Sequence, residues 1–134
     1  MLILDTMGEL AAAYSFATVV FVGGTLIRRG GHSIMEPALY AKPIVVGPSM
    51  ENFLQVIDEF RERGGISQIS AGEEDRKSQV RQLTETFRGL LQDRSARDTL
   101  GQAAHSVFEG NRGATQRTVE KIATLFPNER AMKN

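Results

Sequence analysis

Thr18-Val19-Val20-Phe21-Val22-Gly23-Gly24 is a run of β-branched and aromatic residues that stops at two glycines. No polar residue interrupts Val19–Val22, so the run reads as a strand buried on both faces rather than the half-wet strand of an antiparallel sheet. Working outward from it, Pro43-Ile44-Val45-Val46 repeats the pattern and is closed by Gly47-Pro48, and Ile66–Ile69 is a third short run. Leu2-Ile3-Leu4 offers a fourth. Helical stretches lie between these runs. Gly8–Ala17 places Leu10, Ala13, Tyr14 and Ala17 at helical spacing, and Ile34–Ala41 suggests a short helix. Phe53, Leu54, Val56, Ile57 and Phe60 form one apolar face, with Gly64-Gly65 as the stop. Strands alternating with helices imply β-α-β units. Residues 2–4, 18–22, 43–46 and 66–69 are therefore expected to form one parallel sheet with helices on both faces.

Beyond Ser70 the pattern is purely helical. One helix is marked by Val80, Leu83, Phe87, Leu90 and Leu91, and a second by Leu100, Ala103, Ala104, Val107 and Phe108. A third is marked by Val119, Ile122, Ala123 and Phe126 and ended by Pro127. The charges of residues 73–98 read as a solvated helix face. The whole chain, 1–134, is expected to be a single partial domain in which 73–127 are carboxy-terminal helices.

Composition narrows the function. Sixteen basic and sixteen acidic residues give a formal net charge of zero, which argues against a nucleic-acid partner held by bulk charge. The chain has no cysteine, so disulfides, thiolate metal sites and a Cys nucleophile are excluded. No apolar run reaches the roughly 18–20 residues that span a bilayer. The first residues lack the pattern of a signal peptide, which points to the cytosol. No metal-ligand cluster, Walker pattern or Gly-x-Ser-x-Gly elbow is present.

The candidate site is the stretch Gly23-Gly24-Thr25-Leu26-Ile27-Arg28-Arg29-Gly30-Gly31-His32-Ser33-Ile34-Met35-Glu36-Pro37. In open α/β sheets, ligands bind beyond the carboxyl ends of the strands. Gly30-Gly31 lets backbone approach a ligand, amides at the next helix start can hold phosphate, and Glu36 can accept from sugar or ribose hydroxyls. Two glycines alone need be no more than a turn; Gly-Gly-His followed by Glu-Pro at a helix start is more specific. The second stretch is Asp5-Thr6-Met7-Gly8-Glu9-Leu10. Asp5 or Thr6 can cap the helix and Glu9 can sit in its first turn, which is a sufficient structural account. The functional account turns the Met7-Gly8-Glu9 amides toward a nucleotide. His105 is assigned no role.

Taken in order, Asp5-Thr6-Met7-Gly8-Glu9-Leu10, Phe21-Val22-Gly23-Gly24, Arg29-Gly30-Gly31-His32, Glu36-Pro37-Ala38, Lys42-Pro43, Gly47-Pro48, Asn52-Phe53 and Asn111-Arg112-Gly113-Ala114 resemble the 3-deoxy-D-manno-octulosonic acid (Kdo) transferases. The resemblance implies a truncated Rossmann-like carboxy-terminal domain of a GT-B glycosyltransferase. It implies that Met7, Gly8 and Glu9 match an element contacting the cytidine nucleotide of the donor, CMP-Kdo. Gly30, Gly31, His32, Ser33 and Glu36 then match the loop and helix start near its phosphate and sugar. The family usually has Asn where this chain has Ser33. The acceptor domain, which would hold a lipid A precursor and supply the base, and a basic phosphate-clamp motif have no counterpart here. The chain would be the last third of an enzyme, with no catalytic residue of its own and inactive alone.

The resemblance further implies lipopolysaccharide synthesis on the cytoplasmic face of the bacterial inner membrane, a peripheral or anchored parent protein, and no cofactor or metal. Two alternatives stay open: another GT-B nucleotide-sugar enzyme, such as a UDP-sugar transferase or an epimerase, and a non-catalytic nucleotide-binding module.

Overall fold

The computed structural model describes residues 3–5, 8–70 and 75–125. Three strands, β1 (Val20–Phe21), β2 (Ile44–Val46) and β3 (Ser67–Gln68), form a sheet in the order β1-β2-β3. Both pairings are parallel, with Val20 opposite Ile44 and Val45 opposite Ser67. The expected parallel sheet is therefore present, with strands shorter than the apolar runs that announce them. Residues 3–5 are a correction. They belong to no strand, and Ile3 and Leu4 are 71% and 43% exposed; Leu2 lies outside the described residues. Short parallel strands are stable only when covered on both faces, and these side chains are not covered.

Among the described residues, six α-helices accompany the sheet: α1 (Leu10–Phe16), α2 (Met35–Leu39), α3 (Leu54–Glu62), α4 (Arg76–Gln92), α5 (Arg94–Asn111) and α6 (Ala114–Leu125). The strand period of two sorts the buried side chains. Val20, Val22, Ile44 and Val46 join Ile34 and Ala38 beside α2, Ile57 and Phe60 of α3, and Ala104 and Val107 of α5 in one core. The opposite pleat carries Val45, fully buried, and Phe21, whose ring lies 6.5 Å from that of Phe87 on α4. Helices thus cover both faces.

Local chemistry explains the element ends. Gly64, at φ +67°, takes the left-handed conformation that closes α3, and its amide donates to Arg61. The Asp75 carboxylate accepts from the Ser78 amide and caps α4. Asp93 ends α4 and caps α5 by accepting from Ala96, while the Arg97 guanidinium donates to the last-turn carbonyls of Leu90 and Leu91. α5 presses close to the turn after α2: a Cβ at Gly101 would overlap the Ala41 carbonyl. His105 has a structural part there, its Nδ1 donating to the Ala38 carbonyl at 3.2 Å. Of the apolar face expected of the last helix, Val119 and Ile122 stay about half exposed; Phe126 and Pro127 lie outside the described residues.

Candidate functional site

Two loops meet beyond the carboxyl ends of β1 and β2, and two buried hydroxyls tie them together. Thr25, fully buried, donates from Oγ1 to the Val22 carbonyl at 2.7 Å and accepts the Gly47 amide at 2.8 Å. Its carbonyl takes the Ser49 amide at 2.9 Å. Ser49, 3% exposed, accepts the Gly30 amide on Oγ at 3.3 Å and donates to the Glu51 carboxylate at 2.6 Å. That donation, and the pull of the chain's own backbone, hold the Glu51 carboxyl below its usual range, with Arg28 adding to the effect. The Asn52 amide donates to the Gly30 carbonyl at 3.3 Å.

Gly30 and Gly31 have φ of +76° and +71°, a region that L side chains seldom adopt. Space is tight there as well. A Cβ on Gly30 would overlap the Asn52 side chain, and one on Gly31 would lie 2.5 Å from Met50 Sδ and 3.2 Å from the Ser49 carbonyl. His32 is exposed, and its ring lies over Gly24. Ser33 accepts the Met35 amide at 3.3 Å and so shapes the entry to α2, which accounts for a short hydroxyl side chain at this position. Glu36 is exposed in the first turn of α2. It faces Tyr14 of α1, whose hydroxyl is pushed up in pKa by burial and, secondarily, by the Glu36 charge.

The second stretch is placed only in part. Met7 lies outside the described residues. Gly8 has φ +90° with open space about its α carbon, so its conformation, not crowding, calls for glycine. The expected cap by Asp5 is corrected. The residue at the start of α1 is Glu9, which makes no side-chain cap, and Asp5 stands five positions before Leu10, too far to serve; Thr6 lies outside the described residues. α1 packs on α2, which brings the second turn of one beside the first turn of the other. No hydrogen bond among the described residues joins Gly8 to the Gly30–Glu36 loop.

Sequence reasoning gave Thr25 no role of its own within the candidate stretch and missed Ser49 and Glu51 altogether. Their partners lie up to 24 residues away, and no local pattern marks a buried hydroxyl. Asn52 was legible only as part of the Asn52-Phe53 motif.

No family model matches the chain. Among curated proteins, the 3-deoxy-D-manno-octulosonic acid transferase of Haemophilus influenzae is 31% identical over 118 residues, covering 88% of this chain and 26% of the relative. The enzyme of that name from Bordetella pertussis aligns with the same identity and coverage. Among solved structures, the C-terminal CMP-Kdo binding domain of WaaA from Acinetobacter baumannii is 33% identical with a TM-score of 0.65. The match covers 78% of this chain and 50% of that one. This chain thus spans about a quarter of the length of the curated relatives, rather than the third expected, and half of the solved domain. In sequence and fold alike it belongs with the 3-deoxy-D-manno-octulosonic acid transferases, as a homologue of part of their length.

Proposed function

We propose that this chain forms part of the donor side of a glycosyltransferase that moves Kdo from CMP-Kdo to a lipid A precursor. The observation that carries the reading is the locked Gly30-Gly31 loop at the carboxyl ends of the strands, in a chain that resembles a solved CMP-Kdo binding domain. That is where α/β sheets take nucleotides. Among the described residues the amides of Gly31 and His32 have no partner, so they can meet a phosphate. Glu36 supplies an acceptor for hydroxyls, and Met7, Gly8 and Glu9 take the cytidine side.

In the whole enzyme an acceptor hydroxyl attacks the Kdo anomeric carbon, a base from the other domain takes its proton, and CMP leaves with inversion. The part of this chain is to stabilise charge on the departing phosphate through fixed amide dipoles. Holding donor, acceptor and base in one geometry needs both domains, so the chain alone is inactive. None of the helices described is long and apolar enough to cross a membrane. Contact with the inner membrane would then fall to other parts of the parent protein.

Titration of the chain with CMP and with UDP, followed by amide chemical shifts, tests the reading. CMP is expected to shift Gly31, His32 and Glu36 and to outcompete UDP. In the full-length enzyme Glu36→Ala should weaken donor binding by about 1–3 kcal/mol. Preference for UDP would move the assignment to another nucleotide-sugar enzyme. Nucleotide binding without transfer in the full-length protein would mark a non-catalytic module.

A further inference from the structure

Each of the two glycines that shape the loop has an unusual backbone, but only one has its amide engaged. The Gly30 amide is taken by Ser49 Oγ, and the Gly30 carbonyl by the Asn52 amide, both from the loop that follows β2. Gly30 and Gly31 are both buried, and of the two only Gly30 has its amide and carbonyl engaged within the protein. What the clamp does is leave the next two amides, Gly31 and His32, without internal partners among the described residues.

Serine hydroxyls rotate, and a hydroxyl accepts well only when its own proton is directed elsewhere. Here the proton goes to Glu51 at 2.6 Å, a short charge-assisted bond that leaves the oxygen lone pairs for Gly30. Ser49 cannot drift, because its amide is bonded to the carbonyl of buried Thr25. We propose that Ser49 is a positioning residue of the donor site: oriented by the Glu51 carboxylate, its buried hydroxyl absorbs the Gly30 amide and turns the Gly31 and His32 amides to the phosphate of a nucleotide-sugar donor. The assignment rests on the donor-site reading above and extends it to two side chains that touch no ligand.

The test uses the chain itself, with hydrogen exchange at single amides and CMP as the probe. The Gly47 amide, held by Thr25 rather than Ser49, is the internal control. Ser49→Ala is expected to speed exchange at Gly30 about tenfold relative to Gly47, and to weaken CMP binding by a similar factor. Glu51→Ala acts in the same direction, and because Glu51 is exposed this variant carries the test if Ser49→Ala fails to fold. Glu51→Gln, which keeps an oxygen to accept from Ser49, restores both readouts toward the parent. A merely structural role would change Gly30 and Gly47 together, in step with melting temperature, and that result overturns the proposal. So does a freed Gly30 with unchanged CMP affinity. If the unaltered chain shows no CMP-induced shifts at millimolar concentration, the donor-site reading falls, and the assignment to a phosphate falls with it. In that case a selective change at Gly30 still shows which of the two failed.

Discussion

Replacing Gly47 with alanine probes the junction on which the site depends. Gly47 follows β2, and its φ is not positive, so alanine meets no conformational penalty there. The obstacle is steric. The new methyl would overlap the Thr25 carbonyl and come within 2.8 Å of the Leu26 amide. Thr25 cannot yield cheaply, since it is fully buried and holds Val22, Gly47 and Ser49 through three hydrogen bonds. Overpacking of this kind costs about 1–3 kcal/mol, and each hydrogen bond lost as the loops separate adds about 0.5–1.5 kcal/mol. A loss of about 3–5 kcal/mol is expected, a large share of the roughly 5–15 kcal/mol that holds a domain together. Urea unfolding followed by circular dichroism measures it, and absence of any cooperative transition counts as a loss at least that large. Gly89→Ala serves as the counterpart. Gly89 is exposed in α4, with no heavy atom within 4 Å of the added carbon, so helix propensity should make this change stabilising by about 0.5–1 kcal/mol. A Gly47→Ala chain within about 1 kcal/mol of the parent would refute the close approach of the two loops.

Asp93→Ala removes the side chain that caps α5 at the α4 corner and should cost about 1 kcal/mol in the same unfolding assay; no change would mean that the cap is idle. Val80 and Leu91 stand 64% and 56% exposed beside apolar grooves along α4 that include Phe21, Leu83 and Phe87. The chain is expected to self-associate, and the double change Val80→Lys, Leu91→Lys should lower its scattering mass at high concentration; a clean monomer before the change contradicts this. The pKa of Glu51 is lowered by its bond from Ser49, so the charge assistance of that bond is fully present above the ordinary glutamate range and is lost as pH falls through the lowered value. Protection of the Gly30 amide should therefore drop in acid relative to Gly47, and the drop should vanish in Glu51→Gln; persistence in that variant would assign the titration to another group.

Much of the architecture was readable along the chain because its causes are local. Val19–Val22 and Ile44–Val46 are too apolar to serve as anything but buried strands, Gly64 stops a helix by its own conformational freedom, and alternation of the elements implies a parallel sheet. The family was readable as well: the resemblance was carried by motifs such as Gly30-Gly31 followed by Glu36-Pro37, and relatives 31% identical over 118 residues bear the family out. Other features depended on what lies far away in sequence. Whether Leu2–Leu4 pairs as a strand depends on what covers the β1 edge, and hydrophobicity cannot report that; Ile3 and Leu4 are left in solvent. That Thr25 and Ser49 are buried hydroxyls, and that Gly30 has its amide bonded inside the protein while Gly31 does not, follows from residues 19 to 24 positions apart meeting at one point. A hydroxyl or a glycine looks the same in sequence whether its partner is water, a ligand or another loop. Only the fold, by bringing an acceptor within hydrogen-bond distance, decides which of them it has.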